Sequence, residues 1–122
     1  MNIKKLLIIF SLLVGPVVTQ PAFSADLECT IYVKSGGFEF GNGTNFCGGF
    51  DFSFGSSTSG NWEITNITKS IDYVNWIEGC SSGLSCSVTV RAYASNPAEV
   101  YIHYTDGSIE YLTGSMTYET GY

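Results

Sequence analysis

Gly79-Cys80-Ser81-Ser82-Gly83 carries the G-x-S-x-G spacing of a nucleophile elbow, where a serine on a strained strand-to-helix turn attacks an acyl carbon. A carboxylate and the single histidine follow in the order Ser81, Glu99, His103, which is the order such a triad takes. The chemistry needs more than order. An elbow sits where a parallel sheet meets a helix, and the chain has neither helical apolar spacing nor the length for that sheet. Hydrolysis is not expected, no catalytic residue is assigned, and the serines read as turn residues.

Cys80 and Cys86 raise a metal clamp, a redox pair and a disulfide. A structural zinc site wants four ligands, and His103 is the sole histidine. A redox pair wants Cys-x-x-Cys at a helix start, which lowers the attacking thiol's pKa. Five intervening residues in a β hairpin do not provide that. Four cysteines in a small chain with an export leader point instead to two disulfides. Three pairings are possible; linking neighbouring segments favours Cys29–Cys47 and Cys80–Cys86, the second across a hairpin mouth. Loop-closure entropy assigns them about 3 and about 2 kcal/mol. No metal or cofactor is expected.

The leader is read from residues 1–24. Lys4 and Lys5 precede the apolar run Leu6 to Val14, Gly15-Pro16 end it, and Ala22 and Ser24 put small residues at −3 and −1 of a cleavage point. Cleavage is expected after Ser24 or one residue later. That leaves one domain, residues 25–122, with no later run long and apolar enough for a membrane anchor. The short Lys-Lys leader reads as bacterial, so the product is expected in the periplasm or outside the cell. The Asn-x-Ser/Thr sites at Asn42 and Asn66 are discounted accordingly.

After residue 24 three cations, Lys34, Lys69 and Arg91, face eleven carboxylates, a net charge of −8. Three scattered cations cannot make the basic stripe that phosphate backbones require, so nucleic acid is excluded as a partner, and anionic membrane surfaces are disfavoured.

Strand signals run almost throughout. Seven runs bounded by Gly, Asn, Ser or Asp are predicted as strands: Glu28–Lys34, Gly49–Phe54, Trp62–Thr68, Asp72–Ile77, Ser85–Ala94, Glu99–Thr105 and Ser108–Thr120. Residues 35–60 hold eight glycines and read as a long loop or an extra short strand. Phe50, Phe52 and Phe54 alternate with Asp51 and Ser53, and Val88, Val90 and Ala92 alternate with Thr89, Arg91 and Tyr93. Asp106-Gly107 reads as a two-residue hairpin turn, which sets Tyr104 opposite Ile109, His103 opposite Glu110 and Ile102 opposite Tyr111. Alternation then assigns Val100, Ile102, Tyr104, Ile109 and Tyr111 to the core. Tyr101, His103, Thr105, Ser108, Glu110 and Leu112 are expected on the other face. Seven short strands with one apolar face each make an antiparallel two-sheet β-sandwich.

"YVNW", "CSVTVRAY" and "EVYIHYTDGS", in that order, resemble the later strands of bacterial immunoglobulin-like or PKD-type domains. The resemblance covers roughly residues 72–113. It departs from the PKD pattern by lacking a Gly-Asp-Gly turn after the Trp, and from antibody domains by lacking a widely spaced Cys pair around Trp62 or Trp76. It implies an immunoglobulin-like sandwich and no particular activity, because such folds host many roles.

The expected function is a non-enzymatic binding or adhesion module for a protein or glycan. Its candidate surface joins Arg91, Tyr93, Tyr101, His103 and Glu110, where His103 can serve as a pH-responsive contact. Tyr93, Tyr101 and Tyr122 fall on outward or terminal positions able to stack on sugars or fill an interface. Two alternatives are a periplasmic inhibitor or immunity-type protein that uses a rigid loop, and a structural subunit. The subunit would pair through its C-terminal strand, residues 115–122.

Overall fold

The computed structural model describes residues 24–34 and 36–121, so the expected leader, except Ser24, and Tyr122 lie outside the described residues. Eight strands form: β1 (Asp26–Tyr32), β2 (Phe38–Phe40), β3 (Phe46–Asp51), β4 (Ser57–Thr65), β5 (Ile71–Glu78), β6 (Ser85–Arg91), β7 (Asn96–Tyr104) and β8 (Ile109–Thr120). They build two sheets, ordered β1-β4-β6 and β2-β3-β8-β7-β5. The extra strand is β2, in the glycine-rich stretch, paired antiparallel to β3. The sandwich is not wholly antiparallel, because β3 runs parallel to β8. That pairing also gives β8 neighbours on both sides, so the C-terminal strand is not a free edge for a second subunit.

Alternation sends one face of each strand into the space between the sheets. Leu27, Cys29 and Ile31 of β1, Trp62 and Ile64 of β4 and Val90 of β6 meet Cys47, Trp76, Val100, Ile102, Met116 and Tyr118. Two glycines make this interlock close. A Cβ on Gly114 of β8 would lie 2.8 Å from the Trp62 ring, and one on Gly60 of β4 would lie 2.7 Å from Val90 and 3.0 Å from Met116. Trp62 thus fills the gap in β8 while Met116 fills the gap in β4. The free edge of β1 is covered by the β2–β3 turn. There Cys29 N–H donates to the Thr44 carbonyl at 2.8 Å, Gly43 N–H donates to the Cys29 carbonyl at 2.9 Å, and the Asn42 amide oxygen accepts from Ile31 N–H at 3.0 Å.

Both cysteine pairs are as expected, with Cα separations of 6.0 Å for Cys29–Cys47 and 5.6 Å for Cys80–Cys86. Each joins the two sheets. Cys29 is on β1 and Cys47 on β3, while Cys80 follows β5 and Cys86 lies on β6. The second is therefore no hairpin staple: β5 and β6 belong to different sheets, and residues 79–84 arch between them. Trp76 Nε1–H donates to the Gly83 carbonyl at 2.8 Å and Ile64 N–H donates to the Leu84 carbonyl at 2.8 Å, which pins this arch to both layers. Two disulfides fit an oxidising, non-cytoplasmic compartment.

The β7–β8 register differs by one residue from the expected one. Ile102 faces Glu110, Tyr101 faces Tyr111 and His103 faces Ile109. The cause is the turn. A two-residue type I′ turn needs positive φ at both central residues, and only Gly107, at +89°, has it. Gly107 N–H donates to the Tyr104 carbonyl at 3.0 Å and Tyr104 N–H to the Ser108 carbonyl at 2.9 Å, which makes a three-residue loop, Thr105-Asp106-Gly107. Asp106 buttresses it: its Oδ1 accepts from the Ser108 hydroxyl at 2.6 Å and the Ser108 N–H at 2.9 Å. Those two bonds, hydroxyl first, and then Lys69 at 3.3 Å, hold its carboxyl down to about 2. The one-residue difference turns Glu110 and Leu112 inward and leaves Ile109 and Tyr111 exposed, reversing their expected faces. Nothing lies within 4 Å of a Cβ on Gly107, so Gly107→Ala should cost only backbone strain, about 1–2 kcal/mol in a denaturant melt. A cost near zero would mean that the loop readily exchanges for another turn.

The phenylalanine row of the second expected strand is also corrected. β3 ends at Asp51, which is fully buried, while Phe52 and Phe54 are exposed. Inward-facing positions of β3 are Cys47, Gly49 and Asp51; a Cβ on Gly49 would already lie 2.6 Å from Val33, so that side has no room for rings. Asp51 Oδ2 accepts from Lys34 N–H at 2.7 Å and from the Tyr118 hydroxyl at 2.9 Å. Burial, and then this bond to Asp51, push the Tyr118 phenol up to about 12.

Candidate functional site

The outer face of the five-stranded sheet gathers most of the exposed aromatic side chains among the described residues. On β5 and β7, Tyr73 stacks on His103 with ring centroids 4.1 Å apart and planes inclined by 12°. The pair arises from register, since Tyr73 faces His103 directly across the strands. One position pair along, Tyr101 faces Tyr111 of β8, with centroids 4.7 Å apart. The Tyr111 hydroxyl donates to Glu99 Oε1 at 2.8 Å, and this bond is the main reason its phenol is pushed up to about 12. Tyr111 therefore stays a neutral donor whose ring is held in place. Cross-strand aromatic pairs of this kind stabilise a sheet by about 0.2–1 kcal/mol each, and their outer faces remain available.

A second aromatic group lies on the same face at the β2–β3 side. Phe38 stacks on Phe50 at 5.7 Å, Phe50 meets Phe52 edge-on at 5.1 Å, and Phe40 lies 6.2 Å from Phe46. Phe40 occupies the place of a missing side chain, because a Cβ on Gly48 would sit 2.0 Å from its ring. Between the groups β8 presents Thr113, Ser115 and Thr117. Strand rise puts Phe46, level with Ser115, about 13 Å along β8 from Tyr111. The face is thus a diagonal strip: tyrosines and histidine at one end, hydroxyls in the middle, phenylalanines at the other end.

Of the expected surface residues only Tyr101 and His103 share this face. Arg91 is on β6 of the opposite sheet. Tyr93 lies in the β6–β7 turn at φ +56°, its hydroxyl donating to the Thr120 carbonyl at 2.6 Å. Glu110 points between the sheets, where its Oε1 accepts from the Tyr104 hydroxyl at 2.6 Å and the Ala25 N–H at 3.1 Å. Burial first, and then Glu110, push the Tyr104 phenol up to about 12. The patch expected around these five residues therefore does not assemble. Tyr73 and Tyr111 take the missing places. Tyr73 could have been found from alternation with the inward Val74 and Trp76; Tyr111 was hidden by the one-residue register difference.

The elbow trio does not converge either. Glu99 faces Glu78 at the arch end of β7, and His103 is four residues further along, about 13 Å away. Ser81 is exposed in the arch. Comparison of the chain with family models, with curated proteins and with solved structures finds no match.

Proposed function

We propose that this chain is an exported, non-enzymatic binding module that holds a neutral glycan against the aromatic outer face of its five-stranded sheet. The observation that carries the reading is the flat Tyr73–His103 stack beside the Tyr101–Tyr111 pair. Sugar rings offer a C–H face with a hydroxyl rim. Tyrosines match both, with an apolar body and a polar tip, and the Thr113-Ser115-Thr117 row adds hydroxyl partners. Charge selects among glycans: with −8 on the mature chain, and Glu99 and Glu119 on this face, acidic polysaccharides are repelled. The strand order also supports an immunoglobulin-like sandwich, since β1-β4-β6 opposite β8-β7-β5 follows the A-B-E and G-F-C arrangement of that fold.

The test is binding of the mature, oxidised protein to a neutral β-glucan, a neutral mannan and an acidic polysaccharide, by calorimetry or affinity electrophoresis. Retention by a neutral polymer is expected. Tyr73→Ala and Tyr101→Ala should each weaken it about tenfold or more, while Arg91→Ala, on the opposite sheet, should leave it unchanged. Neutral-glycan affinity that survives both tyrosine changes would sink the reading.

The phenylalanine group favours a second reading, an apolar contact with a protein. Phe38, Phe50 and Phe52 have no polar tips, and Phe54, 74% exposed, extends the group onto the loop that follows β3. An inhibitor-type partner would depend on Phe52 and Phe54 and be indifferent to Tyr73.

A further inference from the structure

Glu110 is a carboxylate on the inward face of β8, directly across from the fully buried Ile102. Its Oε1 holds two donors, the Tyr104 hydroxyl at 2.6 Å and the backbone nitrogen of Ala25 at 3.1 Å. Ala25 itself is only 2% exposed, with its methyl in the core, whereas Ser24 is exposed. The contact spans the two sheets, since Ala25 leads into β1 and Glu110 belongs to β8. No salt bridge to Glu110 occurs among the described residues, whose one pair is Lys69–Asp106. A carboxylate turned inward is costly without an opposite charge.

The nitrogen that Glu110 already holds is also the atom where the leader pattern puts the cleavage point, with Ala22 and Ser24 at −3 and −1. As an amide it offers one hydrogen. As a freed α-amine, protonated at neutral pH, it offers three and a full positive charge. We propose that hydrolysis of the Ser24–Ala25 bond during export creates an α-ammonium that docks on Glu110 as an ion pair, so that leader removal completes the join between the sheets.

An export endopeptidase supplies the catalysis and water the atoms. The C–N bond breaks, the water oxygen completes the new Ser24 carboxylate, and both water protons end on the Ala25 nitrogen, which becomes the ammonium. Cleavage precedes docking, because the docked nitrogen is covered. Cleavage one residue later would remove the buried Ala25 methyl and start the chain at the exposed Asp26. This inference rests on the export part of the proposed function and is independent of glycan binding.

The experiment expresses the full chain with its own leader in a bacterial host and determines the mass and first residue of the exported product. The expected first residue is Ala25. A second chain carries one extra alanine between Ser24 and Ala25, and both are also made with Glu110→Gln, which keeps an acceptor for Tyr104 but removes the charge. The extension should lower Tm by about 5–10 °C with Glu110 present, and by no more than about 2 °C in the Glu110→Gln background. If the extended chain does not fold, amine acylation of the native protein decides: Ala25 should react about tenfold more slowly with Glu110 in place than in the Glu110→Gln variant. A product starting elsewhere, equal Tm losses in both backgrounds, or equal acylation rates would overturn the proposal. A retained leader would overturn it together with the export reading, whereas glycan retention reports on the aromatic face alone.

Discussion

Trp62→Ala should lower the stability of the domain by about 3–5 kcal/mol, seen as a fall in Tm of roughly 15–30 °C. The ring is 1% exposed and lies over Gly114 of the facing sheet. Removing it loses the transfer energy of an indole and opens a cavity that the rigid strands around it cannot close. β4 is the middle strand of its sheet, with Trp62 between Cys29 and Cys86, so neither neighbour can move in while its disulfide holds. A domain of this size is stable by only about 5–15 kcal/mol, so the variant should be marginal at about 37 °C. Trp62→Phe, which keeps a ring over Gly114, should lose much less. Gly114→Ala tests the same contact from the other side, because its Cβ would lie 2.8 Å from the Trp62 ring and 2.5 Å from the Asn45 carbonyl. If Trp62→Ala cost under about 1 kcal/mol in urea, the interlock would not be what joins the layers.

Much of this interlock was legible in the chain before folding. Alternation puts Val88 and Val90 on one face of their strand and assigns Val100 and Ile102 to the core, and all four line or border the core. Cysteine count and spacing identified both pairs. What failed was whatever depended on one φ angle or on a missing side chain. Asp106 stays out of the left-handed region, the loop lengthens by one residue, and Glu110 changes face. In β3 the inward positions are occupied by small or polar residues, so Phe50 lies on the outer face, and the strand ends at Asp51 before the expected row of three phenylalanines is complete. The candidate site was half legible for the same reason. Tyr101 and His103 alternate correctly on β7, but their partners come from β5 and β8, and cross-strand neighbours follow from register rather than from any local pattern.

The two disulfides should separate sharply in reduction. Cys29 and Cys47 are both fully buried, whereas Cys86 is partly exposed and Cys80 borders a surface arch. Attack by a thiolate needs access to a sulfur, so Cys80–Cys86 should open in the native state at low reductant, and Cys29–Cys47 only when the sheets part. Their losses should differ in size as well. The Cys29–Cys47 bridge spans 18 positions and ties β1 to β3, the strand that carries the phenylalanine group. Cys29→Ala with Cys47→Ala releases about 3 kcal/mol of unfolded-chain entropy and adds a cavity at two fully buried positions, for a total of about 3–5 kcal/mol. The Cys80 and Cys86 double variant, spanning 6 positions, should cost about 2 kcal/mol. Function should divide along the same line. Opening Cys80–Cys86 leaves the Tyr73–His103 and Tyr101–Tyr111 pairs on their own hydrogen-bonded strands, so glycan retention should persist. Removing Cys29–Cys47 should abolish retention at temperatures where the domain unfolds and leave it intact below them. Alkylation under increasing reductant, followed by peptide mapping, measures the order directly; simultaneous labelling of all four cysteines would show that the arch and the core open as one unit.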